Sequence, residues 1–371
     1  MRIGLTIYGD IGQKSGGYLY DRMLVEYLRK RGHQVQIISL PARSYAGCLA
    51  DNFSIQLFDK LKKSKLDLLL QDELNHPSLF LLNRKLKQAT SFPIVSIVHM
   101  VRTSSESSTA WKPLYRWVES RYLNSVDGFV FNSQHTKRLV EKMVSRKKPY
   151  VVATPGGDRF AAKITDTEIR VRSRRPGPLN VIFLGNLTRT KAPHILIEAS
   201  SRLSRDSIEV TLAGRQDGER DYVKKLEQQV SRSGLKDQVR FAGHLERDLL
   251  AATLATSHVL VVPSSYEGFG IAYLEGLSFG LPGIGTRAGG AKEIIQHGRN
   301  GYLIPVGDVE QLARYLKNMH EDRKLLADMS LAARRSFNTF PTWKESMERV
   351  HTFLNSYNQS SSLNHSPRRK K

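Results

Sequence analysis

The chain has 371 residues, enough for two domains with a core each, and 40% hydrophobic against 25% charged residues is the balance of a soluble globular protein. No apolar run is long enough to span a bilayer, and residues 2–8 read as a strand with no basic and apolar leader before it, so the expected location is the cytosol. The single cysteine, Cys48, excludes an internal disulfide and a cysteine-based zinc site. Of the net charge of +22, +15 falls in residues 1–177; solubility alone does not require that asymmetry, whereas an anionic partner facing this half does.

Short apolar, β-branched runs at residues 3–7, 35–39, 66–70, 94–98, 128–131 and 150–153 alternate with helical patterns, which predicts a parallel sheet with crossover helices. The first run leads into a loop holding Gly9, Gly12, Gly16 and Gly17, with a helix expected from near Tyr18. That spacing does not match the dinucleotide fingerprint and argues against a dehydrogenase. Amides beside Gly16 and Gly17 at a helix N-terminus suit an anion; a tight turn is the alternative. His99 closes the run SFPIVSIVHM at the carboxyl end of a predicted strand, where open sheets bind ligands; a hydrogen-bonded core histidine is the alternative.

Residues 170–178, RVRSRRPGP, read as a basic linker between a first domain, 1–169, and a second, 179–341. Beyond it the pattern restarts, with runs at 180–184, 209–213, 239–242, 259–262, 283–285 and 301–305. The fold class is therefore α/β, two doubly wound, Rossmann-like parallel sheets facing a cleft that holds the site. A helix is expected over 342–357, and the polar, basic tail 358–371 is expected to be disordered.

The most informative stretch is residues 263–282, PSSYEGFGIAYLEGLSFGLP. Gly268 and Gly270 leave the amides around Phe269 uncovered at a helix start, where hydroxyls or phosphate oxygens can bind. Glu267 and Glu275 flank this turn. Eight residues at the helical rise span roughly 12 Å, so the two acids should contact separate parts of one long ligand. Glu275 lies among Ile271, Leu274, Leu277 and Ser278, where a carboxylate needs a partner to offset desolvation, and a hydroxylated ligand is the partner expected.

The stretch resembles the E-x7-E motif of the family 4 retaining glycosyltransferases, which have the two-domain GT-B fold. Residues 2–38, DGFVFNSQHTKRLV (127–140), VVATPGGD (151–158), VIFLGNLTRTKAPHILIEA (181–199) and residues 287–316 are similar to the family in order and spacing. The resemblance implies transfer of a hexose from a nucleoside-diphosphate sugar to a lipid-linked or polysaccharide acceptor. It implies an acceptor-binding first domain, with helix 342–357 packing back on it, and a nucleotide-sugar-binding second domain. Donor contacts fall on Gly16, Gly17, Lys191, Arg189, Glu267, Gly268, Phe269, Gly270 and Glu275, with His99 near sugar and acceptor and residues 241–248 bordering the base. His99, Lys191 and Glu267 carry the catalytic roles. Lys191 matches the lysine that meets the diphosphate, and a cation at a helix start is otherwise poorly placed. Asn186 stands where many members carry arginine; Arg189 or Arg215 could supply the second charge. Gly289 and Gly290 read as a second backbone approach to the ligand or as a simple turn. With no D-x-D and no cluster of histidines and carboxylates in the sequence, no metal and no cofactor are expected.

Two segments suggest a peripheral position at the inner face of a membrane. Residues 51–67 place Phe53, Leu57, Phe58 and Leu61 at helical spacing beside Lys60, Lys62, Lys63 and Lys65; residues 111–123 mix Trp111, Trp117 and Tyr122 with Lys112, Arg116 and Arg121. Anionic lipid is the partner expected, and helices simply packed on a sheet are the alternative. A sequence pI near 10 also fits nucleic acid, but no reading motif or stacking platform appears, so none is expected. A catalytically silent sugar-nucleotide binder is the third reading, kept open by Asn186.

Overall fold

A computed structural model of the chain describes residues 1–105, 111–160 and 164–363. Two units divide it: Met1–Pro155 with the chain from Trp343 onward, and Gly156–Thr342. Each is built on a six-stranded, all-parallel sheet.

The first sheet comprises β1 (Arg2–Tyr8), β2 (Gln34–Leu40), β3 (Leu68–Asp72), β4 (Ile94–Val98), β5 (Gly128–Phe131) and β6 (Tyr150–Val152), in the order β2-β1-β3-β4-β5-β6. Ile3 stands opposite Val35 on one side and Leu68 on the other. β3, β4 and β5 are buried on both faces, which is why they read as continuous apolar runs. After β2 the chain crosses to the other side of β1, so the topological switch lies between the carboxyl ends of β1 and β3. Helix α1 (Gly16–Lys30) begins two residues before the expected start, because Ser15 caps it by accepting from the Tyr18 N–H. β3 starts two residues late, because Lys65, in the left-handed region, and the Asp67–Arg2 pair make a turn of the preceding residues. The helix Trp343–Leu363 packs on α1 and β6 and runs past the expected tail start at 358; residues 364–371 of that tail lie outside the described residues.

The second sheet comprises β7 (Leu179–Leu184), β8 (Ile208–Ala213), β9 (Val239–Gly243), β10 (Val259–Val262), β11 (Gly283–Thr286) and β12 (Gly301–Ile304), ordered β12-β11-β10-β7-β8-β9. Val181 stands opposite Val210 and Val259, and the switch lies between β7 and β10. The expected linker over 170–178 is instead largely a helix of this unit, Asp166–Arg174. Thr165 and Glu168 form a capping box, Ile169 and Ser173 are buried, and Arg172 donates to the carbonyls of Phe279 (2.9 Å) and Gly280 (3.1 Å). The boundary therefore falls at Pro155, ahead of this helix. Among the described residues, no helix is long and apolar enough to cross a membrane.

Candidate functional site

In the second unit the loops leaving β7 and β10 meet at the switch. The Ser265 N–H donates to the Thr190 carbonyl at 2.8 Å, and Lys191 Nζ lies 2.5 Å from Glu267 Oε2. Lys191 precedes the helix Pro193–Ser200, whose cap residue Ala192 is held at φ +52°, a conformation a side chain seldom adopts. A cation at this positive helix end is unfavourable by itself, and Glu267 offsets it. Both side chains stay partly accessible, 30% for Lys191 and 13% for Glu267.

Glu267 is fixed through its backbone by Gly289 and Gly290. The Gly290 N–H donates to the Glu267 carbonyl at 2.7 Å, and a Cβ on Gly289, at φ +88°, would stand 2.0 Å from that oxygen. Neither approach to a ligand nor a simple turn describes what these glycines do here: they pack against the backbone of residues 267–269. Gly268 follows Glu267, Phe269 is buried, and Gly270 caps the helix Ile271–Ser278.

Glu275 lies in the second turn of that helix and is buried. Its partner differs from the expected ligand hydroxyl: Arg159 Nη1 donates to Glu275 Oε1 at 2.6 Å. Burial raises the Glu275 pKa, and Arg159 partly reverses the shift. Arg159 comes from the loop PGGDRF, and its carbonyl accepts from Arg247 (2.9 Å), within the segment 241–248. The arginines considered for a second charge are engaged elsewhere. Arg215 makes a two-pronged pair with Asp217, and Arg189, largely exposed, lies 3.9 Å from Glu219 with its guanidinium over the Tyr222 ring.

In the first unit His99 follows β4 and is buried. Its Nε2 lies 3.0 Å from Asp21 Oδ1 on α1, and Asn132 donates to its carbonyl at 2.8 Å. Gly17, in the first turn of α1, lets the ring come close: a Cβ there would lie 3.1 Å from His99 Cδ2. Gly16, beside it, opens the helix. Asp72 ends β3 next to this pair. Burial holds the Asp72 carboxyl at about 7, well above the usual carboxylate range, with Asp21 adding to the rise.

Although the sequence shows no local cluster of histidines and carboxylates, the fold assembles two among the described residues. Asp21, Asp72 and His99 form one; Glu73, His76 and Glu119 form the other, each with polar atoms within 4.8 Å. In the second, burial raises Glu73 and Glu119 to about 8, and Glu119 accepts from the backbone N–H groups of Arg102 (2.6 Å) and Thr103 (3.2 Å), anchoring the segment after His99.

The comparisons with known proteins agree with this architecture. Residues 20–159 match the family model described as Glycosyltransferase Family 4, and residues 165–336 match Glycosyl transferases group 1. The chain belongs to glycosyltransferase family 4. It is 28% identical over 296 residues to the D-inositol 3-phosphate glycosyltransferase of Arthrobacter sp. (strain FB24), covering 74% of this chain and 69% of that protein. Other relatives of that description are spanned over about half to two thirds of their length. Among solved structures, sucrose-phosphate synthase from Thermosynechococcus elongatus has TM-score 0.82 at 18% identity, covering 97% of this chain and 100% of that one. Anabaena HepE in complex with UDP-glucose has TM-score 0.77 at 20% identity, covering 96% and 100%. At these identities the likeness establishes the fold, GT-B.

Proposed function

We propose that the chain transfers a hexose, with retention at the anomeric carbon, from a nucleoside-diphosphate sugar to a lipid-linked or carbohydrate acceptor. The observation that carries this reading is the Lys191–Glu267 pair at the switch between β7 and β10. In the proposed reaction, Lys191 meets the negative charge that grows on the departing diphosphate, and Glu267 with the amides of Phe269 and Gly270 holds the sugar hydroxyls. Glu275, ordered by Arg159, takes the ribose hydroxyls; within the first unit, His99 is the residue that meets substrate. In the first unit the Gly16 and Gly17 amides at the α1 N-terminus offer donors to an anion. Lys191 stands in for a divalent cation, so the transfer is metal-independent and EDTA leaves the rate unchanged. HepE, of the same fold, was solved with UDP-glucose, which supports a nucleotide-sugar donor.

The acceptor reading rests on one layer of the first unit. The helix Leu82–Ala89, with exposed Arg84, Lys85 and Lys87, packs against both the helix Ile55–Lys63 and the helix Lys112–Ser125. Leu61 and Tyr122 are buried beneath this layer, while Phe53, Ile55, Trp111 and Trp117 are exposed. Lys85 stands over the Phe53 ring and Arg121 over the Trp117 ring. Exposed aromatics among lysines and arginines suit the interface of an anionic membrane, which supports the reading of an enzyme docked at a cytoplasmic face.

The test is release of nucleoside diphosphate from a panel of nucleotide sugars, with anionic or neutral vesicles present. One donor should turn over, and Lys191→Ala and Glu267→Gln should each lose on the order of 100-fold in kcat. Selective binding without release from any donor would instead leave a silent binder, and equal sedimentation with both vesicle types would remove the membrane.

A further inference from the structure

His99 is seated on one face of α1. Gly17, Tyr20 and Asp21 stand at i, i+3 and i+4 and so share that face. Gly17 provides the space, the Tyr20 ring meets the imidazole edge-on at 5.3 Å, and Asp21 takes Nε2. Tyr20 is itself held, its hydroxyl donating to the Ala153 carbonyl at 2.9 Å and its ring meeting Trp343 at 5.9 Å. Asp21 is completely buried, and its second oxygen, Oδ2, has no hydrogen-bond partner among the described residues.

We propose that Asp21 is a positioning residue: by holding His99 Nε2 inward, it makes Nδ1 the ring nitrogen presented to substrate, as a hydrogen-bond donor to a hydroxyl or phosphate oxygen. The inference rests on the placement of His99 at the substrate site in the proposed function. A carboxylate only accepts, so the proton of this pair belongs to Nε2. The charge of the ring then decides what Nδ1 does. In the neutral ring it would be an acceptor and could act as a base; in the charged ring it is a donor. Burial opposes the charged ring, but Asp21, with Asp72 from the end of β3 and Glu73 just beyond, outweighs burial and lifts the pKa of His99 to about 9. Nδ1 makes no hydrogen bond to any described residue, and the side chain keeps 8% of its surface open. His99 therefore serves as a donor at neutral pH, and Asp21 sets both its orientation and its charge.

The test is a pH titration of the His99 ring nitrogens by NMR in the 15N-labelled full chain, with the signal assigned by its loss in His99→Gln. In the parent, Nε2 should keep its proton and the ring its charge up to about pH 9. In Asp21→Asn the midpoint should fall toward the ordinary value of about 6.5. With the donor found by the panel, kcat of Asp21→Asn should fall about 10-fold or more with KM little changed, and its pH profile should shift with the ring. A parent ring that titrates near 6.5, or the same midpoint in both proteins, overturns the proposal. Should Asp21→Asn fail to fold, the parent titration still decides. A parent that turns over no donor sinks the functional reading alone, because the titration does not depend on turnover.

Discussion

The two units share a plan, six parallel strands with the switch beside the first strand, but they handle buried charge in opposite ways. In the second unit each acid of the site has a cation of its own: Lys191 for Glu267 and Arg159 for Glu275. In the first, four buried carboxyls, Asp21, Asp72, Glu73 and Glu119, gather around two histidines. Fixed pairs of permanent charge suit a constant task, holding an anionic group. Asp72, Glu73, Glu119 and the His99 imidazole, pushed to values of about 7 to 9, instead make the first unit sensitive to pH near neutrality.

The sharpest way to break this contrast is to remove a cation from the second unit. Arg159→Ala leaves Glu275 buried without its ion pair, a loss expected to cost roughly 3 kcal/mol, at the lower end for such pairs because Arg159 is itself one-third exposed. Denaturant unfolding measures it, and Glu275→Gln in the same background should recover part of the loss. An Arg159→Ala variant as stable as the parent would show that the pair carries no weight.

Glycines sharpen the comparison at a smaller scale. Gly289→Ala combines a positive φ with a Cβ 2.0 Å from the Glu267 carbonyl, so it should destabilise by about 2 kcal/mol and displace Glu267. Gly17→Ala brings a Cβ only to 3.1 Å of the His99 ring, and alanine is favoured over glycine in a helix by up to about 1 kcal/mol. The two effects should nearly cancel in stability while the His99 environment changes. Thermal melting of the two variants side by side checks the ranking, and the reverse order would refute it.

The pH response should be the smallest effect and the most specific. Asp72, Glu73, Glu119 and His99 all have raised pKa values in the folded chain. The folded state therefore holds more protons than the unfolded one: stability from the three carboxyls is lost as pH rises from their ordinary values near 4 to about 7 to 8, and that from His99 as pH rises from about 6.5 to about 9. In the second unit, burial lowers His258 to about 4, which raises stability only between pH 4 and 6.5 and is complete above that. Hydrogen exchange between pH 6 and 8, corrected for the intrinsic rate, should show protection falling more in β3 and β4 than in β10 and β11. Equal loss in both sheets would contradict the contrast.

The central strands were legible because a parallel strand buried on both faces is a continuous apolar run; all twelve strands lie within two residues of their expected positions. Lys191 and Glu267 were legible through motif and spacing. Arg159 was not, since nothing local ties a loop arginine to an acid 116 residues away. Asp21 leaves a fainter trace, a carboxylate on the apolar stripe of Tyr20, Leu24 and Leu28, and Asp72 another, an acid ending the run LDLLLQD. Their convergence on His99 depends on the strand order, which the alternation of elements alone does not specify. The helix Asp166–Arg174 hides behind its arginines, though Thr165 and Glu168 spell its capping box.

The central claim, that the lysine at the second unit's switch grips a donor diphosphate, is tested most directly by calorimetric titration of the nucleoside diphosphate that the donor panel selects into the parent and Lys191→Ala. The account predicts measurable binding to the parent and at least about a tenfold loss in the variant, roughly 1.4 kcal/mol, with the fold intact by circular dichroism. Equal affinity for both proteins would contradict it.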